Sequence, residues 1–421
     1  MSRPSVGLFV DSFTPITDGV TLTVRSYAGW LGRMLGPTCV VTPAVPGHRD
    51  EEPFDVVRFR SLPTVVRPPY RLGLAGLDTG LRARLAARDF AIVHAHSPFS
   101  AGRLALRVAR DRKVPIVATF HSKFRDDLCR VIPVRCFVND EVKRIVDFLH
   151  QVDQVWMPQA SVVETLRDYG YKGPCQVVEN GTDFLPPENV EPYRSWGGRQ
   201  LRVLPDAKVG LFVGQLIREK NLEFLLSSLP AVLARVPGFH MVLAGEGYAR
   251  RRLEKLCRRL GISHRVIFHG VVRDRQLLKA IYARADLFLL PSFYDNAPLV
   301  IREAAALSTP SVLLRGSTAA EVIKDDDNGF LADPSEQSFA ARVAELLLDD
   351  EARLRAGRGA QRTLCRTWES VAAEVRARYL ALLSGGGSSA SRASVAMTTA
   401  AGCRLGVPGA FGERAASDRS V

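Results

Sequence analysis

The chain has 421 residues, of which 46% are apolar, and a formal net charge of +13. This length exceeds one ordinary hydrophobic core and favours two domains. The positive charge favours a polyanionic partner such as phosphates or anionic lipid, but the sequence lacks zinc-finger spacing, a ribonucleoprotein motif and a basic tail, which argues against nucleic acid.

The cysteines and the first residues indicate the compartment. The seven cysteines are odd in number, widely spaced and without a C-x-x-C pair, so neither a disulfide framework nor a zinc site is predicted. The N-terminus reads as a short strand without a signal-peptide core, and no run approaches the roughly 18 apolar residues of a membrane span. We therefore expect a cytoplasmic protein that meets a membrane, if at all, peripherally at its inner face.

Residues 1–185 alternate short apolar runs with amphipathic segments. The predicted strands are Val6–Val10, Cys39–Thr42, Val56–Phe59, Ile92–His94, Ile116–Phe120, Gln154–Met157 and Cys175–Val178. The predicted helices include Leu22–Leu35, Gly102–Asp111 and Ser161–Tyr169. This alternation predicts an α/β domain with a mostly parallel sheet and helices on both faces.

A second domain follows a proline- and glycine-rich stretch, residues 186–207, which predicts a linker. In residues 208–367 the predicted strands are Val209–Phe212, His240–Leu243, Val266–Phe268, Leu287–Leu290 and Ser311–Leu314, separated by helices such as Leu222–Val236, Arg250–Leu260 and Leu277–Ala283. Residues 368–384 predict a final amphipathic helix. Residues 385–421 contain few large apolar residues and predict a disordered tail.

Ligands of such sheets bind outside the carboxyl ends of the strands, so the residues that follow each strand are candidates. Gly19 precedes the first predicted helix, where a backbone can approach an anion or a sugar, with an ordinary strand-to-helix turn as the alternative. His121 ends an apolar strand and could support charge on a reacting sugar, with a structural histidine as the alternative. His94 and His96 share a strand, but no third ligand at zinc spacing accompanies them, so no metal is predicted.

Lys220 and the turn around Glu246 are candidates in the second domain. Lys220 is predicted to open a helix, where its ammonium and the helix dipole would act on the same diphosphate. Gly245 and Gly247 flank Glu246 and suggest a nucleotide-binding turn, although a lone Gly-x-Gly is weak evidence.

The segment from Leu290 to Ala306 carries the most specific pattern. It places Asp295 in a loop and Glu303 on the helix that follows, with Pro298 at the helix start. Carboxylates can accept sugar and ribose hydroxyls, and the backbone N–H groups near the helix start suit phosphates. A capped surface helix without a ligand is the alternative. Separately, the arginines between Arg67 and Arg88 alternate with leucines and suggest either a surface for anionic lipid or a solvated helix face.

Taken together, these residues resemble glycosyltransferase family 4, whose members are retaining GT-B enzymes that use a sugar nucleotide. The resemblance covers about residues 5–383. Asp11–Val20, which contains Gly19, resembles the first glycine loop of the family, and Asn180–Asp183 resembles the segment that closes the first domain. Phe268–Val271 resembles the segment whose backbone reads the base, so Val271 is a predicted donor-binding residue.

The resemblance also assigns roles to single residues. Lys220 matches the diphosphate-binding lysine, and His121 matches the histidine near the reacting sugar. Asp295-x7-Glu303 is similar to the E-x7-E signature, whose first acid contacts the donor sugar and whose second contacts the ribose. The predicted catalytic residues are therefore His121, Lys220 and Asp295. The predicted donor-binding residues are Gly19, Gln215, Lys220, Gly245, Glu246, Val271, Asp295, Asn296, Ala297, Leu299, Val300 and Glu303.

Two positions depart from the family pattern. Asp295 is one methylene shorter than the usual glutamate, and Gln215 stands where many members have a second phosphate-binding arginine. A subgroup that includes diacylglycerol glucosyltransferase relatives keeps Gly-Gln at 214–215, so both changes are consistent with that subgroup.

The resemblance implies the α/β GT-B fold, with two doubly wound Rossmann-like domains that face a central cleft and a C-terminal helix that crosses back to the first domain. It implies transfer of a hexose from a nucleoside diphosphate sugar to a hydroxyl, which a membrane lipid could supply. It implies retention at the anomeric carbon, no metal and no further cofactor. The rivals are a sugar-nucleotide epimerase of the same fold and a non-catalytic sugar-nucleotide-binding protein. A monomer and a homodimer are both compatible with the sequence.

Overall fold

The computed structural model describes residues 3–64, 69–131 and 134–385. The prediction of a disordered tail at residues 385–421 lies, apart from Gly385, outside the described residues. The strands of the first half are β1 (Ser5–Phe9), β2 (Thr38–Pro43), β3 (Asp55–Phe59), β4 (Ser61–Pro63), β5 (Arg71–Gly73), β6 (Phe90–Ala95), β7 (Ile116–Thr119), β8 (Gln154–Met157) and β9 (Gln176–Val177). Those of the second half are β10 (Val209–Val213), β11 (His240–Ala244), β12 (Val266–Gly270), β13 (Leu287–Leu290), β14 (Ser311–Leu314) and β15 (Phe330–Ala332).

Helices connect these strands. In the first half they are α1 (Gly19–Met34), α2 (Leu81–Ala86), α3 (Ser100–Arg112), α4 (Phe124–Val131), α5 (Arg135–Leu149) and α6 (Ser161–Asp168). The rest of the chain contains α7 (Glu191–Leu201), α8 (Leu222–Arg235), α9 (Arg250–Arg259), α10 (Arg275–Arg284), α11 (Leu299–Ala306), α12 (Glu336–Leu348), α13 (Asp350–Leu364) and α14 (Trp368–Ser384). No helix among the described residues is long and apolar enough to cross a membrane.

The strands form two parallel sheets. The first has the order β3-β2-β1-β6-β7-β8-β9 and the second the order β12-β11-β10-β13-β14-β15, while β4 and β5 form a separate antiparallel hairpin. In both sheets the strand order reverses next to the first strand, β1 or β10, which is the doubly wound arrangement predicted from the sequence. The carboxyl ends of these strands therefore position the candidate site. The sheets use residues 5–177 and 209–332, and a domain division at residues 185 and 208 stays a prediction.

The alternation of side chains along β1 creates a core on each face of the first sheet. Val6 and Leu8 pack in one cluster and Phe9 packs in the other, as the two-residue period of a strand requires. The cluster that contains Val6 and Leu8 also contains Val371 and Tyr379 of α14. The predicted return of the C-terminal helix to the first half of the chain is thereby confirmed.

Residues 186–207, which stay a predicted interdomain linker, contain a helix, α7, that was not predicted from the sequence. Gly197 and Gly198 are buried in this helix, which packs against α10. A Cβ atom at Gly197 would lie 2.1 Å from the carbonyl oxygen of Ala280. The glycines therefore permit close packing of two helices, a tertiary requirement that composition alone does not distinguish from flexibility.

The arginine-rich stretch is described only in part. Arg67 and its neighbours at 65–68 lie outside the described residues, and the helix that follows, α2, has only six residues. Arg84 pairs with Asp78 at 2.9 Å, and Arg88 pairs with Asp55. These two arginines serve local ion pairs and do not form a continuous basic helix face.

Candidate active site

The site lies where loops from the two sheets meet at the carboxyl ends of β7 and β13. Asn296 in the loop after β13 donates its side-chain N–H to the carbonyl oxygen of His121, at 3.1 Å. Lys123 donates to the carbonyl oxygen of Phe293 at 3.0 Å and to the hydroxyl of Thr318 at 2.7 Å. The structure thus brings the predicted residues His121 and Asn296 together, as expected for a cleft between two α/β halves.

Lys220 and Asp295 form an ion pair between the loops that follow β10 and β13. Both side chains are largely buried, and Lys220 also lies 5.9 Å from the ring centre of Tyr294. Contrary to the prediction, Lys220 does not open a helix. It ends a short 3₁₀ turn, and α8 begins two residues later after Asn221, which has a left-handed backbone. The ammonium is therefore held by a carboxylate, and the helix start contributes less than expected.

The loop around Asp295 carries polar atoms without protein partners. Among the described residues, Asp295 Oδ2 and Asn296 Oδ1 are buried and accept no hydrogen bond. Buried polar atoms are usually paired, so two adjacent exceptions mark a position that suits a polar ligand. In the same part of the described chain, the N–H groups of Asn296, Ala297, Leu299 and Val300 have no protein acceptor. They precede or open α11 and are the orphan donors expected at a helix start.

The side chains around the start of α11 make packing contacts within the protein. Leu299 is buried in the core cluster of the first sheet, and Val300 packs against the core of the second. The carbonyl oxygen of Ala297 accepts a 3.2 Å hydrogen bond from Asn180. All three can therefore serve a donor through their backbone N–H groups. The side chain of Leu299 and the carbonyl of Ala297 link the two halves, whereas Val300 packs within the second half.

Glu303 is buried on α11 and each of its carboxylate oxygens has a partner. Oε1 accepts a hydrogen bond from Arg275 at 2.8 Å, and Oε2 accepts one from the hydroxyl of Tyr282 at 2.9 Å. Arg275 also pairs with Asp183 and lies 4.3 Å from the ring centre of Phe184. Burial and the negative charge of Glu303 raise the pKa of Tyr282 well above its usual value. Arg275 and Tyr282 were not predicted from the sequence. The one feature that indicates a shared partner is that both lie on the same helix, α10.

A surface pocket adjoins this ion pair. It has a volume of about 210 Å³ and is lined by Asp183, Phe184, Leu185, Arg275, Gln276 and Lys279. Because Arg275 lines the pocket and binds Glu303, the pocket borders the predicted ribose-binding carboxylate.

His121 belongs to a row of three histidines at the carboxyl ends of the adjacent strands β6 and β7. Its Nε2 atom lies 3.0 Å from Nδ1 of His96, and the His96 ring stacks on that of His94 at 4.0 Å between ring centres. His94 contacts the hydroxyl of Tyr379 on α14 at 2.6 Å. Burial lowers the pKa of His121 to about 4 and lowers those of His94 and His96 well below their usual value. The row is therefore neutral near pH 7. The described residues contain no group of three or more histidine, cysteine or acidic side chains arranged for a metal, and metal-independence stays a prediction.

The predicted nucleotide-side residues lie at the carboxyl ends of β10, β11 and β12. The loops after β10 and β11 run side by side, with the N–H of Leu216 donating to the carbonyl of Glu246 at 2.9 Å. Gly245 has φ +147°, and a Cβ there would lie 1.9 Å from the carbonyl oxygen of Gly214, so only glycine fits. Gln215 and Val271 are exposed, whereas Glu246 pairs with Arg250. The loop after β10 also carries Lys220.

Gly19 is the first residue of α1 and lies at the carboxyl end of β1. The side chain of Asp18 caps the helix by accepting the N–H of Thr21 at 2.8 Å. Gly19 is exposed, and a Cβ atom at this position would meet open space. The glycine is therefore accessible from solvent, and its carbonyl accepts a hydrogen bond from the hydroxyl of Thr23 within its own helix.

Comparison with known proteins extends this picture. The family model described as "Glycosyltransferase Family 4" matches residues 17–184, and the model "Glycosyl transferases group 1" matches residues 199–363. The chain is 26% identical over 352 residues to the alpha-monoglucosyldiacylglycerol synthase of Streptococcus pneumoniae, covering 82% of this chain and 78% of that protein. It is 28% identical over 400 residues to a GDP-mannose-dependent alpha-mannosyltransferase of Mycolicibacterium smegmatis, covering 90% and 97%.

Solved structures confirm the predicted fold. The crystal structure of Anabaena HepE in complex with UDP and glucose superposes with a TM-score of 0.71 at 19% identity, covering 90% of this chain and 99% of that one. The sucrose-phosphate synthase of Thermosynechococcus elongatus superposes with a TM-score of 0.72 at 18% identity, covering 91% and 100%.

Proposed function

This chain belongs to glycosyltransferase family 4 and has the GT-B fold, and we propose on that basis that it transfers a hexose from a nucleoside diphosphate sugar to a hydroxyl with retention at the anomeric carbon. The observation that carries the proposal is the Lys220 and Asp295 ion pair beside the unpartnered oxygens of Asp295 and Asn296. A cation, a carboxylate and free N–H groups within one cleft are the groups that a sugar diphosphate requires.

In this proposal Lys220 exchanges its partner when the donor binds. The diphosphate takes the ammonium, and Asp295 is released to accept hydroxyls of the donor sugar. The N–H groups at residues 296–300 other than Pro298 add donors to the phosphates, so the leaving group is stabilised by groups of the protein without a metal. The family resemblance implies a front-face route in which the departing phosphate accepts the proton of the acceptor hydroxyl.

Glu303 and His121 would orient the two ends of the donor. Arg275 and Tyr282 fix the carboxylate of Glu303, whose remaining lone pairs can accept the hydroxyls of the ribose. The backbone carbonyl of His121 contacts Asn296 in the loop of Asp295, and its imidazole is neutral near pH 7. A neutral imidazole can hydrogen-bond the reacting sugar without opposing the positive charge that develops at its anomeric carbon.

We propose a membrane lipid as the acceptor, in keeping with the name of the streptococcal relative. The hairpin of β4 and β5 supports this choice, because its paired leucines Leu62 and Leu72 are 55% and 54% exposed. Leu77 follows with 64% exposure. The hairpin rests on the start of α3, where a Cβ atom at Gly73 would lie 2.3 Å from the hydroxyl of Ser100. Exposed apolar side chains near the carboxyl ends of the first sheet would place the cleft at the cytoplasmic surface of a membrane.

The test first identifies the donor and then analyses the product. Thermal unfolding of the full chain is measured with a panel of UDP- and GDP-sugars, and the sugar nucleotide that stabilises it is then offered diacylglycerol or a monoglycosylated lipid in mixed micelles. We expect a glycolipid whose anomeric configuration, read by NMR, equals that of the donor. Conversion of the donor without an acceptor would indicate an epimerase, and binding without any product would indicate a non-catalytic protein. An inverted anomer would contradict retention.

A further inference from the structure

Lys123 reaches across the cleft from the loop between β7 and α4. Its ammonium has three N–H donors, and two of them contact neutral oxygens of the second half, the carbonyl of Phe293 and the hydroxyl of Thr318. Phe293 precedes Asp295 by two residues, so the ammonium lies over the same loop that holds the Lys220 and Asp295 pair. It therefore approaches the loop of Asp295 from the first half of the chain, whereas Lys220 approaches it from the second.

The charge of Lys123 is not matched by a carboxylate. Among the described residues, its ammonium has no ion-pair partner within 4.0 Å, although Asp126 and Asp295 act on it electrostatically from a greater distance. Partial burial lowers the pKa of Lys123, because water is removed from the ammonium and no counter-ion in contact replaces it. By contrast, Lys220 is paired with Asp295 and Arg275 is paired with Glu303.

The balance of charge in the cleft favours an anion at this place. A nucleoside diphosphate carries more than one negative charge, and the pair of Lys220 with Asp295 is neutral as a unit. A partly desolvated, unpaired ammonium beside that unit is stabilised when an anion binds, and it stabilises the anion in return.

We propose that Lys123 is a second ammonium for the diphosphate of the donor, supplied by the first half of the chain. This inference rests on the proposed function. Lys123 leaves the hydroxyl of Thr318 and directs its N–H groups to the phosphate, so the donor itself links the two halves through one ammonium from each. The same contact would stabilise the diphosphate as it departs.

A purely mechanical role, in which Lys123 only links the two halves, predicts a different response to substitution. Lys123→Gln removes the charge but keeps a side-chain N–H for the oxygens of Phe293 and Thr318. Thr318→Val keeps the charge and removes the hydroxyl that Lys123 contacts. The two variants therefore separate charge from linkage and form a matched pair.

The experiment measures the affinity of wild type and both variants for UDP, UMP, GDP and GMP by calorimetry, using the base that the wild type binds. We expect Lys123→Gln to raise the Kd of the nucleoside diphosphate roughly tenfold, with a smaller effect on the monophosphate, and Thr318→Val to change it less than about twofold. Thermal unfolding without ligand verifies that both variants are folded.

The outcomes separate this inference from the proposed function. An unchanged Kd in Lys123→Gln, or an equal loss in Thr318→Val, would overturn the role of Lys123 while leaving the donor site intact. Equal losses for the diphosphate and the monophosphate would also overturn it. Absence of nucleoside diphosphate binding by the wild type would instead contradict the proposed function.

Discussion

Nε2 of His121 lies 3.0 Å from Nδ1 of His96, so the imidazole of His121 is held by one that is fully buried. Behind it, His94 is hydrogen-bonded to Thr119 and to Tyr379 of the C-terminal helix. The row connects α14 to the candidate site through neutral rings. Because these buried rings are neutral in the folded state, the stability of the protein must depend on pH.

We expect the protein to lose stability as the pH falls from 7 to 5. The pKa values of His94 and His96 are lowered in the folded state, so the unfolded chain binds more protons in this range and acid favours unfolding. Each buried histidine can contribute up to about 1.4 kcal/mol per pH unit. The measurement is the free energy of urea unfolding at both pH values. In His96→Asn this dependence should become shallower by one proton, and an unchanged slope would contradict the assignment.

Lys220→Ala should lower turnover on the order of 10²–10³-fold, because it removes a charged donor from the leaving diphosphate. The control is Arg218→Ala, which removes an exposed cation from the same 3₁₀ turn. Steady-state kinetics of both variants are compared after thermal unfolding has verified their fold. If the two variants lose turnover equally, a general loss of positive charge explains the effect and the specific role of Lys220 is wrong.

Asp295→Asn should separate donor binding from turnover. The substitution frees Lys220 from its ion pair, so the affinity for the free nucleoside diphosphate should stay equal or rise. The neutral amide accepts sugar hydroxyls less strongly than a carboxylate, so kcat should fall roughly tenfold or more. Asp295→Glu is the companion variant, because it restores the reach of the acid usual in the family. A parallel loss of nucleotide affinity and kcat in Asp295→Asn would show that Asp295 serves mainly to hold the loop.

The sequence predicted the strands well because buried parallel strands are short apolar runs with clear ends. Gln154–Met157, Leu287–Leu290 and Ser311–Leu314 are confirmed residue for residue. The helix α7 was missed because its two glycines serve a tertiary contact with α10. Composition reflects the local sequence, so it does not predict which surface a helix packs against.

The candidate site was likewise only partly predictable from the sequence. The residues that match a family motif could be placed from sequence, since motif order along the chain fixes their loops. Arg275 could not, because its partners Asp183 and Glu303 are 92 and 28 residues away. Lys123 contacts residues 170 and 195 positions away, and no local pattern signals that contact. Which lysine pairs with a carboxylate and which does not is decided only by the packing of the two halves.

Tyr282→Phe should lower both stability and donor affinity. The hydroxyl of this buried tyrosine donates to the buried carboxylate of Glu303, and loss of a hydrogen bond to a charged group costs about 1.5–3 kcal/mol. Glu303 would then be held only by Arg275, and the donor KM should rise. Tyr171→Phe is the control, since that buried hydroxyl contacts a carbonyl outside the site. Chemical unfolding and donor KM are measured for both, and an unchanged KM in Tyr282→Phe would contradict the positioning of Glu303.

The hairpin leucines provide the test of membrane contact. Leu62 and Leu72 are cross-strand partners, and each leaves more than half of its surface in water. The double variant Leu62→Ser and Leu72→Ser should bind less to sedimented phosphatidylglycerol vesicles and should raise the KM for a lipid acceptor. Its affinity for the sugar nucleotide should not change, because neither leucine is among the residues proposed to bind the donor.

The matched control replaces Leu348 and Leu354, which are each 61% exposed on the second half, by serine. Equal loss of vesicle binding in both double variants would indicate general hydrophobicity and contradict a specific role of the hairpin. Loss confined to the Leu62 and Leu72 variant, together with unchanged hydrolysis of the donor, would place the acceptor side of the cleft at the lipid surface. Vesicles of phosphatidylcholine separate the apolar contribution from the electrostatic one, because only the anionic surface attracts the positive charge of the chain.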